Sequence, residues 1–156
     1  MKQVGVKIKG CSGEHYAMGE AVSKGYVVSK TTETDLLGYD FVMDDGDILY
    51  RVEVKTQDYG GKSRIDGNKF SDRIKFNLSR RNSTIGIYDY IHYFALVCPK
   101  FNKIAWIKYD LIKNTTKKTI YYREFDILQL PFNHKLLNGT LNNISNDIQD
   151  NQINLF

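Results

Sequence analysis

Only two cysteines occur in 156 residues, Cys11 and Cys98, and neither has a partner at metal-ligand spacing. That excludes a disulfide framework and a thiolate zinc site, and predicts two free thiols in a reducing compartment. The three histidines, His15, His92 and His134, are just as scattered, so no imidazole cluster offers itself to a metal; His92, in an aromatic run, reads as structural. Neither the lysine-bearing start MKQVGVKIKG nor any later segment holds an apolar run long enough for a signal peptide or a transmembrane span. The expectation is an intracellular protein without a membrane partner. Internal repeats are lacking too.

Net charge is small at +4, but it is unevenly spread. From Gly61 to Asn82, seven basic residues (Lys62, Arg64, Lys69, Arg73, Lys75, Arg80, Arg81) stand against two acids, Asp66 and Asp72. From Glu33 to Glu53, seven acids stand against Arg51 alone. An acidic centre beside basic segments suits a metal site that grips a polyanion. Ordinary solvated surface is the bland alternative, and charge alone does not choose between them. The 42% hydrophobic and 13% aromatic content is enough for one folded domain at this length.

Local signals give a mixed α/β order. Gly13-Glu14 to Lys24 has Tyr16-Ala17 and Glu20-Ala21-Val22 at helical spacing, with Ser12 or Gly13 as cap and Gly25 at the C′ position. Tyr26-Val27-Val28 reads as a strand. Gly38–Met43 and Ile48–Lys55 read as a hairpin around Asp44-Asp45-Gly46-Asp47, because Asp-Gly tolerates the positive φ of a tight turn. Ile74–Leu78, Tyr88–Val97 and Lys103–Tyr109 are further strands, the last two joined by the turn at Pro99–Asn102. Asp110 is placed to cap a short helix at Leu111-Ile112, and Tyr121–Leu128 is ambiguous. Residues 1–133 form the domain; 134–156, rich in Asn, Asp and Gln, read as a weakly ordered or partner-dependent tail. The central sheet is expected to be largely antiparallel.

The chemistry concentrates in GYDFVMDDGDILYRVEVKTQ. Alternation along a strand puts Tyr50, Val52 and Val54 on one face and Arg51, Glu53 and Lys55 on the other. Folding the hairpin brings Asp40 near Glu53. Mg²⁺ takes one or two carboxylates, several waters and substrate phosphate oxygens; Asp40 and Glu53 supply the carboxylates, and Lys55 an ammonium beside them. Glu53 and Lys55 as a surface ion pair is the bland reading, but the flanking Val52 and Val54 suggest a central strand, where an inward carboxylate needs a partner.

Asp40 followed by Glu53-Val54-Lys55 resembles the signature of the PD-(D/E)xK nuclease superfamily. The helix bearing Glu14, the hairpin around DDGD, and the runs YFAL and NKIAWI support the resemblance, which covers roughly residues 10–112 and extends to small intron-homing endonucleases and Holliday-junction resolvases. It departs at Tyr39, where the motif's name has proline, and Asp35 remains a rival to Asp40. The resemblance implies a restriction-endonuclease-like α/β fold, a mixed central sheet flanked by helices. It also implies Mg²⁺-dependent hydrolysis of double-stranded DNA (Mn²⁺ substituting) that leaves 5′-phosphate and 3′-hydroxyl ends. Asp40 and Glu53 would bind the metal, with Glu14 possible in the same role; Lys55 would assist the nucleophile, and Gln57 would orient it or touch phosphate. Arg64, Lys69, Arg73, Lys75, Arg80 and Arg81 are the DNA-contact candidates. Cutting both strands would call for a homodimer or homotetramer. Site-specific cleavage, of homing or restriction type, leads; junction resolution and a non-catalytic nucleic-acid-binding module are the alternatives.

Overall fold

The first helix, α1 (Lys2–Ser23), begins well before the expected start at Gly13. The computed structural model describes residues 2–30, 38–57, 73–78, 91–112, 115 and 117–135, with side chains in α1 from Gly10 onward. Ser12 and Gly13 are therefore not caps. Residues 2–12 carry two glycines and no cap, which hides the helix locally. They also carry no proline, and a nucleated helix propagates at one hydrogen bond per residue. The expected end is met. Gly25 has φ 88°, its N–H donates to Val22 O, and the Tyr26 N–H reaches back to Ala21 O, a Schellman closure with Tyr26 and Ala21 in one apolar cluster.

Strands β1 (Val27–Ser29), β2 (Phe41–Asp44), β3 (Leu49–Thr56), β5 (Tyr93–Cys98) and β6 (Lys103–Lys108) form one sheet in the order β1-β2-β3-β5-β6. The β2–β3 hairpin turns at Asp44–Asp47 as expected, with Gly46 at φ 96° and Asp45 Oδ1 accepting the Asp47 and Ile48 N–H groups. All pairings are antiparallel except β3 with β5, where Glu53 stands level with Phe94 and Lys55 with Leu96. A parallel pair needs a long crossover. This one carries β4 (Arg73–Asn77), which pairs with β7 (Lys117–Tyr121) in a separate two-stranded ribbon. β7 was not legible in the sequence: of its residues only Ile120 is buried, among lysines and threonine.

The core has two parts, one on each side of the sheet. Ala17 and Ala21 of α1 pack on Val52, Val54, Ala95, Val97 and Trp106. On the other side, Phe94, Leu96 and Ile107 meet Ile74, Phe76, Ile120 and Phe125. Among the described residues this second face is covered by the β4–β7 ribbon and a 3-10 turn at Tyr122–Asp126 rather than by a long helix. β5 starts at Tyr93, later than expected; residues 88–90 lie outside the described ones. Asp110 is not a helix cap: it lies inside a 3-10 turn spanning Tyr109–Leu111. The buried Asn133 joins three segments. Its Nδ2 donates to Gly25 O at 3.2 Å and Asp45 O at 3.0 Å, and its backbone N–H donates to Lys24 O at 2.8 Å. From residue 136 the tail lies outside the described residues. No described helix is long and apolar enough to cross a membrane.

Gly13 has a packing role. A Cβ there would overlap Thr56 Oγ1 and lie 3.0 Å from Thr56 Cβ, so α1 rests on β3 at this point because the side chain is missing. Alanine in an open helix position gains about 1 kcal/mol over glycine. Here overpacking outweighs that gain, and Gly13→Ala is expected to lower unfolding free energy by about 1–2 kcal/mol. Urea denaturation measures it, with Thr56→Ala in the same chain restoring the loss; an unchanged midpoint for the single variant would remove the argument.

Candidate active site

The β2–β3 ladder starts with Phe41 opposite Val52, and β3 runs on to Thr56. Residues 53–56 therefore project past the end of β2, and Asp40 sits in the notch. Its N–H donates to Val52 O at 2.8 Å, and its Oδ2 accepts the Val54 N–H at 2.6 Å. A side-chain carboxylate thus replaces the strand backbone that would have paired with Val54. Phe41 and Val52 pair on the α1 side, so Glu53 falls on the opposite face; Asp40, just before β2 at the edge of β3, lies close enough to feel its charge.

β3 is the central strand, and Glu53 is 3% exposed. The Lys55 ammonium donates to Glu53 Oε1 from the neighbouring same-face position. A surface ion pair is therefore not what these residues form, because the glutamate is inside the protein. Burial, then the negative charge of Glu53, pushes the Asp40 carboxyl up to about 7; Glu14 adds to the rise, and the Val54 N–H and Lys55 oppose it. An acid raised by its neighbour's charge in this way shares one small region with it.

Glu14 lies well inside α1, and its Oε2 accepts from the Lys30 ammonium. A favourable charge at a helix N-terminus, the simpler reading of this residue, does not apply so far from the helix start. Lys30 follows β1 directly and also feels the charge of Asp40. Sequence reasoning missed it, since only the Gly25 turn and the β1–β2 pairing bring it back to the helix. Gln57 continues the ladder, its N–H donating to Val97 O at 2.9 Å, with a half-buried side chain. Arg73 and Lys75 lie on the exposed face of β4. Arg64, Lys69, Arg80, Arg81 and Asp35 lie outside the described residues. His92 is structural as expected: its Nδ1 accepts the Arg51 N–H at 2.9 Å.

The donor set fits a hard divalent ion. Two carboxylates lie close enough to repel each other, and a hard cation would relieve that repulsion. Among the described residues no three His, Cys, Asp and Glu side chains assemble into a metal cage, so the arrangement is a carboxylate pair with Glu14 held by Lys30. A cleft of about 730 Å³ between α1 and the start of β6 contains neither Asp40 nor Glu53. A polymer substrate laid across a notch needs no enclosed cavity.

Residues 4–129 match a family model described as PD-(D/E)XK endonuclease. Among solved structures, the fold is similar to that of I-Ssp6803I, a bacterial homing endonuclease, with TM-score 0.58 and 21% identity over 74% of each chain. That likeness is one of fold, restriction-endonuclease-like. A weaker one links the chain to Hjc, a Holliday junction resolvase from the archaeal hyperthermophile Archaeoglobus fulgidus, with TM-score 0.45 and 15% identity over 76% of this chain and 88% of the other. No curated protein sequence matches the chain significantly.

Proposed function

Because the chain belongs to the PD-(D/E)XK endonuclease family, we propose that it is a Mg²⁺-dependent endonuclease that cuts double-stranded DNA at chosen sites, with Asp40 and Glu53 as metal ligands and Lys55 assisting the nucleophile. The observation that carries this reading is the pair of acids at the notch, one buried in the central strand and the other raised to about 7 by burial and by that neighbour.

Each residue has a distinct task. The Val54 N–H fixes Asp40 through Oδ2, which orients the carboxylate and leaves Oδ1 for a cation. Glu53, rigid in β3, supplies the second oxygen donor. When bound, a divalent ion would neutralise charge on the scissile phosphate and acidify a water. The Lys55 ammonium, on its flexible stem, lies where it can position that water or offset charge growing on the phosphoryl oxygens. Gln57, at the end of the ladder, is proposed to orient Lys55 or touch a neighbouring phosphate, and Glu14 to complete the metal environment through its pairing with Lys30. Arg64, Lys69, Arg73, Lys75, Arg80 and Arg81 are proposed to hold the DNA backbone, which positions a duplex without reading it. One centre per chain cuts one strand, so a homodimer or homotetramer is proposed, to be measured by analytical ultracentrifugation.

The test is incubation with linear duplex and with four-way junctions in Mg²⁺, Mn²⁺ or Ca²⁺, followed by sequencing of the ends. Cleavage of duplex with 5′-phosphate products supports the proposal. A junction-only cutter would replace the substrate assignment, and no cleavage of any DNA in any metal would end it. Lys55→Met is expected to slow single-turnover cleavage by about 10²-fold while Mn²⁺ binding persists. An unchanged rate would remove Lys55 from the chemistry.

A further inference from the structure

Among the described residues, two ammonium groups flank the carboxylates. Lys55 approaches Glu53 along β3, and Lys30 approaches from the other side, at the end of β1, bound to Glu14 and within the field of Asp40. Lys30 is partly exposed, at 36%, and Glu14 is 22% exposed. Such a pair near the surface contributes little stability by itself, so its place beside the acids calls for another reason.

Charge counting supplies one. Glu14, Asp40 and Glu53 against Lys30 and Lys55 leave this cluster at a formal −1 with every group ionised. A bound divalent ion brings it to +1, a charge that attracts a phosphodiester. Without Lys30 the cluster would start at −2 and reach only zero on taking up the ion. A positive side chain here works against the metal and in favour of the anionic substrate that follows it.

We propose that Lys30 is a positioning residue that sets the charge of the site, weakening divalent-metal binding in the free protein so that the metal-loaded site carries net positive charge for a DNA phosphate. This rests on Asp40 and Glu53 being the metal ligands. Lys30 also holds Glu14 by charge and hydrogen bond, keeping that third carboxylate from turning the pair into a tighter cage.

The experiment measures Mn²⁺ binding to the free protein by calorimetry, and duplex affinity with and without Ca²⁺, for wild type, Lys30→Met, Lys30→Gln and Lys30→Arg. Removing the charge should tighten Mn²⁺ by roughly three- to tenfold, and should shrink the gain in duplex affinity that Ca²⁺ brings by a similar factor. Lys30→Gln, which keeps a donor for Glu14, should behave like Lys30→Met, whereas Lys30→Arg should stay near wild type. Equal or weaker Mn²⁺ binding in both neutral variants overturns the role of Lys30. If Asp40→Asn and Glu53→Gln leave wild-type Mn²⁺ affinity untouched, it is the metal assignment that falls.

Discussion

Glu53→Gln is expected to slow DNA cleavage by about a thousandfold or more while leaving the folded domain and its grip on duplex intact. The substitution keeps shape and a hydrogen-bond acceptor for Lys55, and removes one negative charge from a side chain that is 3% exposed. A metal's stabilisation of transition-state charge amounts to several kcal/mol, and about 1.4 kcal/mol corresponds to each tenfold in rate. Losing one of two carboxylate ligands therefore removes at least about three decades. The fold should not suffer, since a neutral amide in the central strand carries a smaller desolvation cost than a carboxylate. Single-turnover cleavage in Mg²⁺, a thermal melt and a gel-shift titration in Ca²⁺ together check it. A variant that melts normally and still cuts within tenfold of wild type would show that Glu53 is not a metal ligand.

Asp40→Asn should have a second large effect, visible without any substrate. The Asp40 carboxyl is raised from 3.8 to about 7, so between about pH 4 and pH 7 the folded state holds its proton more tightly than the unfolded chain does. The contribution of Asp40 to the stability of the metal-free protein is therefore greatest at low pH, declines as pH rises through that window and levels off above it. Asparagine cannot ionise and can still accept the Val54 N–H. The metal-free variant should then be more stable than wild type at pH 8, by on the order of 2–3 kcal/mol, with the difference vanishing near pH 4. Mg²⁺ reverses the order. It should stabilise wild type increasingly from pH 5 to pH 8, because binding expels the proton, and should barely affect the variant. Urea unfolding at both pH values, with and without Mg²⁺, reads all four quantities. A wild type whose stability rises steadily from pH 4 to pH 8 without metal would contradict the raised carboxyl.

The candidate site was legible because its signals are short-range. Twelve residues separate Asp40 from Glu53, the turn between them announces itself through Asp45-Gly46, and strand alternation puts Glu53 and Lys55 on one face. The strict exposed–buried alternation of β4 is a similarly local signal. The missing parts depend on distant partners. Lys30 reads as an ordinary lysine after a short strand until it meets Glu14 on α1. β7 has one buried residue and becomes a strand only because β4 lies beside it. The parallel β3–β5 pairing depends on the route of a long crossover, which no local pattern encodes. Gly13 looked like a helix boundary because glycine often marks one; here it marks a close approach to Thr56.

The side chain that accepts the Val54 N–H also bears on self-association. A strand that outruns its neighbour shows bare amides and carbonyls, and such a rim can recruit a stray strand from another molecule. The Asp40 carboxylate seals one of those amides with a group too short and too charged to be extended by a further strand. Alanine at 40, unlike asparagine, would reopen that rim, so Asp40→Ala invites clumping during expression for a reason separate from any lost chemistry.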